Sequence, residues 1–126
     1  MRKLLTIICT AALLLIGVTE GWSNEFQKGS DAFNIRDYAT ALEKWRAVAE
    51  QGLAEVQVNL ALMYEKGEGV PQNYVLAHMW SSIAASNGNK TAADNIEIFE
   101  KKMSASQIQR AQKLAVECVE KNYKGC

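Results

Sequence analysis

The chain has 126 residues, enough for one small domain, and its 14 Lys and Arg residues balance 14 Asp and Glu residues to a formal net charge of zero. Nucleic-acid-binding proteins usually carry a basic excess or a clustered basic face, so this scattered, balanced charge argues against that class. The composition, 48% hydrophobic and 22% charged, is typical of a folded domain. It is too apolar for a disordered tail and too charged for an integral membrane protein.

Residues 1–23 have the pattern of a signal peptide. Two basic residues open the chain, and about fifteen apolar residues follow at 4–18, fewer than the roughly 20 that cross a bilayer as a helix. Gly21 and Ser23 supply the small side chains that precede a cleavage site, so we predict cleavage after Ser23 and a mature domain of residues 24–126. A buried N-terminal helix is the alternative. The pattern favours an exported protein, located in the periplasm or secreted.

Export changes the meaning of the cysteines, because disulfides persist outside the cytoplasm. Removal of the signal peptide would remove Cys9 and leave Cys118 and Cys126. A continuous helix would hold their Cα atoms about 12 Å apart, beyond the ~7 Å limit for a disulfide, so a bridge requires the last helix to end between them. Asn122 or Gly125 can turn the tail back in a left-handed conformation. The alternative is a buried Cys118 and a free Cys126, and neither arrangement predicts a metal site.

The mature region repeats itself at an offset of 36 residues, a length that holds two short antiparallel helices. Small residues recur where two helices would cross closely, and a tyrosine opens each second helix, so the repeated positions are those that packing restricts. The matching residues are Tyr38, Ala41, Ala49, Gly52 and Asn59, which recur as Tyr74, Ala77, Ala85, Gly88 and Asn95.

Start and stop signals predict an all-helical chain. Asp37 and Asn73 are placed to cap two helices, and Ser104 with Gln107 has the spacing of a capping box. The predicted helices cover residues 25–34, 38–51, 54–66, 74–87 and 91–102, with a last helix from the capping box to about residue 121. An apolar stripe on that last helix closes the stack and turns Cys118 inward.

The most specific motif is the segment LALMYEKGEGVPQNY at residues 60–74. Small and aromatic residues follow it on the next helix, namely Ala77, Trp80, Ala84, Ala85 and Gly88. This unit resembles a Sel1-like repeat, a relative of the tetratricopeptide repeat, although Ala61 stands where the family usually has glycine. Residues 37–52 resemble the second helix of a preceding repeat, and the segment from Thr91 resembles a degenerate third.

The resemblance implies a right-handed α-solenoid of about three antiparallel helix pairs with a C-terminal capping helix. The implied units cover about residues 24–52, 53–88 and 89–122. The residues that would maintain the repeat are Tyr64, Gly67, Gly69, Ala77, Trp80 and Gly88. Family members generally act as adaptors or scaffolds that bind proteins on the concave face, and no cofactor is implied.

Catalytic signals are weak in this sequence. A hydrolase needs a nucleophile with a base in reach, or a metal with three or four ligands, and the single histidine, His78, shows no such spacing. We interpret His78 as a half-exposed helix residue and Trp45 and Trp80 as core residues. We therefore predict that the chain is not an enzyme and has no metal site. A small secreted hydrolase-like or ligand-binding protein, or a structural envelope component, is the alternative.

A row of side chains on the first helices is the candidate binding surface. Asn59, Met63 and Lys66 share one helix face at i, i+4 and i+7. The offset of 36 maps this row onto Asn95, Phe99 and Lys102. If both rows line the concave side, the amides can hold a peptide backbone while Met63 accepts an apolar side chain. The alternative is that Phe99 packs inward with Ile96 and the lysines are only solvated.

Overall fold

The computed structural model describes residues 21–126, and within that range the chain forms six helices and no strand. The helices are α1 (residues 21–34), α2 (Tyr38–Ala49), α3 (Ala54–Lys66), α4 (Tyr74–Ser86), α5 (Lys90–Glu100) and α6 (Ala105–Glu120). The predicted signal peptide lies outside the described residues except for positions 21–23, which open α1. None of the helices described is long and apolar enough to cross a membrane.

The helices begin where the capping residues are. The side chains of Asp37 and Asn73 each accept a hydrogen bond from the backbone N–H three residues ahead, as predicted. Ser104 and Gln107 form the predicted capping box, in which each side chain accepts the other residue's backbone N–H, at 3.2 and 2.9 Å. These bonds satisfy N–H groups that have no partner within the helix.

Two helices end two residues earlier than predicted. α2 stops at Ala49 instead of Gln51, and α5 covers residues 90–100 instead of 91–102. The backbone N–H groups that follow each helix bond to the carbonyl three residues back, as in Gly52 N–H to Ala49 O at 3.0 Å and Lys102 N–H to Phe99 O at 2.9 Å. The last turn therefore tightens and leaves the α-helical pattern before the sequence signal for a stop is reached.

The connection between α3 and α4 packs closely on α2. Gly67 ends α3 in the left-handed region at φ 71°, and Gly69 has φ 74°. A Cβ added at Gly69 would lie 2.8 Å from Tyr38 Cβ, so only glycine permits this approach. The backbone N–H of Asn73 donates to Tyr64 O at 2.9 Å and closes the connection.

The core is organised around α4, which packs against α3, α5 and α6, while α2 packs against α3. Trp80 on α4 is fully buried, as predicted. Trp45 on α2 is also buried and stacks between Phe26 and Phe33 of α1, with its Nε1–H donating to Phe26 O at 3.2 Å. Both tryptophans are thus core residues, as predicted.

The C-terminal tail folds back on α6 through a disulfide. Cys118 and Cys126 are bridged with their Cα atoms 5.8 Å apart, so the free-thiol alternative does not describe this structure. Asn122 and Gly125 adopt positive φ, as predicted, and so does Tyr123 between them. The Tyr123 hydroxyl lies 3.3 Å from the side-chain nitrogen of Asn87, which ties the tail to the end of α4.

Cys126→Ser is expected to lower the free energy of unfolding by about 2 kcal/mol, because it frees a short loop in the unfolded chain and unties the tail. Urea denaturation of the oxidised protein and of the variant measures the difference. The same comparison in reductant is the control, since the wild type should then lose its advantage. Equal stability of the two oxidised proteins would contradict the prediction.

Candidate functional site

One cavity of about 190 Å³ lies where α1, α2 and α3 meet. The structure brings three of the predicted binding residues to it, together with two aromatic side chains from the preceding helix pair. Its lining is Phe33, Trp45, Asn59, Leu62, Met63, Lys66 and Glu68. We call this the α1–α3 cavity.

The α1–α3 cavity has an apolar floor and a polar rim. Met63 is only 1% exposed and Trp45 is buried, so both belong to the floor. Asn59 is half-buried, and Lys66 is exposed. Met63 therefore does not project toward a partner, and it can touch one only from the bottom of the cavity.

The second predicted row has a different environment. Phe99 is 3% exposed, and its ring centroid lies 6.2 Å from that of Tyr74. The Lys102 ammonium lies 5.7 Å from the centroid of the same tyrosine ring. Phe99 thus packs inward, because the ring of Tyr74 and the core offer it more apolar contact than solvent does. Asn95 and Lys102 are half-buried and exposed, respectively.

His78 is buried, and the expectation that it is half-exposed is wrong. It is 1% exposed because α4 is enclosed by three other helices. Its Nε2 lies 2.8 Å from Glu100 Oε1, and its Nδ1 lies 3.2 Å from Ser82 Oγ. The i, i+4 spacing of His78 and Ser82 is readable in the sequence, whereas Glu100, 22 residues away, is brought close only by the packing of α5 on α4.

A second cavity, of about 460 Å³, lies between α4 and α6. Sequence reasoning missed it, although two valines on α6 lie off the buried stripe: Val116 is 60% exposed and Val119 is 46% exposed. The lining residues are Ser82, Ile83, Ser86, Gln112, Ala115, Val116, Val119 and Glu120. We call this the α4–α6 cavity.

The surface charges that interact most clearly lie on α1 and α2. The ammonium groups of Lys44 and Lys28 each lie 3.1 Å from a carboxylate oxygen of Glu25. Hydrogen bonds from Lys44, and then from Lys28, lower the pKa of Glu25, and the Glu25 carboxylate raises the pKa of Lys44. Within residues 21–126, no group of three or more His, Cys, Asp or Glu residues is placed to hold a metal ion.

The stacked helix pairs define a helical-repeat protein with cavities between neighbouring helices. The sequence profile of the Sel1 repeat matches residues 54–89, which contain α3 and α4. The chain also superimposes, at a TM-score of 0.75 and 32% identity, on the crystal structure of a protective antigen present in uropathogenic Escherichia coli strains and displaying an SLR fold. The match covers 81% of this chain and 24% of that one, so the chain spans about a quarter of its length. No curated protein gives a significant match.

The chain therefore contains a Sel1 repeat at residues 54–89, and the predicted resemblance to Sel1-like repeats and the all-α solenoid fold are confirmed. Sel1-like repeats generally mediate protein–protein interaction. The fold is typically a non-catalytic scaffold.

Proposed function

We propose that this chain is an exported adaptor that binds a protein or peptide partner at the α1–α3 cavity. The observation that carries the proposal is the composition of this cavity, in which Asn59 and Lys66 surround a floor that contains Met63. A partner would place an apolar side chain on the floor and pair its backbone with the rim.

The size of the cavity supports a peptide over a small molecule. Sites for drug-sized ligands usually measure about 300–1,000 Å³. The α1–α3 cavity, at about 190 Å³, suits a single side chain. The Asn59 amide can both donate to and accept from a peptide backbone, and Lys66 and Glu68 at the edge can select charge. Asn95 and Lys102 would extend the binding surface, with Phe99 supporting it from below.

Export is supported by two independent features. The apolar run at residues 4–18 behind two basic residues is typical of a signal peptide. The disulfide between Cys118 and Cys126 is a bond that persists in oxidising compartments. Both features favour the periplasm or the outside of the cell as the place where the partner is met.

A photo-crosslinking residue at position 66 tests the proposal in the exported protein. Lys66 is exposed at the rim, whereas a probe at the buried Met63 would disturb the core. We expect a discrete crosslinked partner from position 66 and none from Gln109, an exposed residue of α6. Absence of any product above the Gln109 control would favour a structural envelope component instead.

Asn59→Ala should then lower the captured amount by about fivefold or more, because truncation of an interface residue that matters costs at least ~1 kcal/mol. The half-buried side chain of Asn59 has no part in the helix caps, so the variant should unfold at the wild-type urea concentration. Gln109→Ala is the matched control, and unchanged capture by Asn59→Ala would contradict the proposed site.

A further inference from the structure

A serine, a histidine and a carboxylate form a hydrogen-bonded row beside the α4–α6 cavity. Ser82 Oγ lies 3.2 Å from His78 Nδ1, and His78 Nε2 lies 2.8 Å from Glu100 Oε1. Ser82 lines the cavity, whereas His78 lies behind it and is buried. The row therefore runs from the cavity wall through α4 to α5.

For a neutral His78 imidazole, the two hydrogen bonds determine which ring nitrogen carries the proton. A carboxylate can only accept, so Glu100 accepts the Nε2–H of His78. Nδ1 then carries a lone pair and accepts the hydroxyl proton of Ser82. A serine whose proton already points at a neutral imidazole, with that imidazole oriented by a carboxylate, has the arrangement of an activated nucleophile.

The cavity in front of Ser82 suits an apolar group. Its volume of about 460 Å³ is in the range of small-molecule sites, and its walls include Ile83, Val116 and Val119. The two valines are substantially exposed and give the cavity an apolar wall that solvent or a ligand can reach. Gln112 adds a side-chain amide that can donate to a carbonyl oxygen.

We propose that Ser82 is a nucleophile that accepts the acyl group of an ester whose acyl chain occupies the α4–α6 cavity. Ser82 Oγ forms a bond to the carbonyl carbon while its proton passes to His78 Nδ1. The ester C–O bond then breaks, and the leaving oxygen takes that proton. Glu100 is the positioning residue that holds the imidazole. This site is separate from the α1–α3 cavity, so either proposal can fail without the other.

The same helix provides a matched control for Ser82. Ser86 also lines the α4–α6 cavity, but its hydroxyl donates to Ile83 O at 2.8 Å, so its proton points at a backbone carbonyl and not at a base. A reagent that enters the cavity meets both hydroxyls. If reactivity depends on the hydrogen-bonded row, and not only on the reagent's access to the cavity, only Ser82 should react.

An alkyl fluorophosphonate is the probe, because Oγ attack on phosphorus expels fluoride and leaves a stable adduct that peptide mass spectrometry locates. We expect the adduct at Ser82 in the wild type, with Ser86 unmodified in the same protein, and no adduct in Ser82→Ala. His78→Gln should lower the labelling rate by about 100-fold or more, the contribution expected of a positioned base. Glu100→Gln should slow labelling with Ser82 still the modified residue, and Glu100→Asp should restore part of the rate.

Turnover of p-nitrophenyl butyrate provides the second measurement, as a burst of p-nitrophenolate of about one equivalent per protein that Ser82→Ala lacks. Far-UV circular dichroism and urea midpoints show whether each variant is folded. No labelling of the folded wild type, or labelling of folded His78→Gln at the wild-type rate, would overturn the proposal. In both cases the row would be only a satisfied buried histidine.

Discussion

Trp80→Ala is expected to lower the free energy of unfolding by about 3–5 kcal/mol. Trp80 is 0% exposed and lies on α4, the helix that packs against three others. Truncation leaves a large cavity at the centre of the molecule, and the surrounding helices can collapse into it only partially. Domains of this size are stable by about 5–15 kcal/mol, so the variant should lose a large part of its stability.

Urea denaturation followed by far-UV circular dichroism measures this loss. Trp80→Phe should cost less, about 1–2 kcal/mol, because it keeps most of the apolar volume. Among the residues described, Trp80 Nε1 has no hydrogen-bond partner, so the Phe variant breaks no hydrogen bond. Val116→Ala, at a largely exposed site on α6, is the matched control and should change stability by less than about 0.5 kcal/mol. A Trp80→Ala protein as stable as this control would contradict the prediction.

The features that the sequence predicted correctly are those that local physics determines. Asp37, Asn73 and the pair Ser104 and Gln107 begin helices because their side chains reach backbone N–H groups only three residues away. The turn of the tail follows from Asn122 and Gly125, which tolerate positive φ. The 36-residue offset predicted the repeated helix pairs for a related reason, since each repeat buries the same face against its neighbour.

Buried polar groups could not be predicted in the same way, because their partners are distant in sequence. Gln57 is fully buried, donates to Ala49 O at 3.2 Å and accepts from the Asn87 side chain at 3.1 Å. It thereby links the ends of α2 and α4. His78 finds Glu100 on α5 by the same kind of contact. A polar residue on a helix is expected to face solvent until the packing of other helices supplies its partners.

For the candidate binding residues too, the local sequence predicts one part of their placement and distant packing decides the other. Helical periodicity correctly placed Asn59, Met63 and Lys66 on one face of α3, and the three line one cavity. Periodicity does not say how deep each residue lies, because that depends on the neighbouring helix. The equivalent row on α5 meets the ring of Tyr74, so Phe99 is covered. The α4–α6 cavity depends wholly on how two helices of different repeats cross, a relation that periodicity within one helix does not contain.

Gly29→Ala is expected to lower the free energy of unfolding by about 3 kcal/mol, although alanine has a higher helix propensity than glycine. In an exposed helix position the change would stabilise by about 1 kcal/mol. Gly29 is buried in α1, and a Cβ there would lie 2.5 Å from Trp45 Nε1 and closer still to Cδ1. The indole has little room to move away, because it stacks between Phe26 and Phe33 and its N–H donates to Phe26 O. The added methyl group must therefore displace α1 from α2.

A double-mutant cycle with Trp45→Phe tests this cause. The phenyl ring lacks the pyrrole atoms that the new methyl group would meet. Gly29→Ala should therefore lower the free energy of unfolding much less in the Trp45→Phe background than in the wild type. We expect the coupling between the two changes to reach about 1–3 kcal/mol, measured by urea denaturation. Trp45→Phe alone should destabilise the protein, since it loses the hydrogen bond to Phe26 O and some apolar area. If the two costs simply add, the destabilisation by Gly29→Ala does not come from the contact with the indole, and α1 is held against α2 by other contacts.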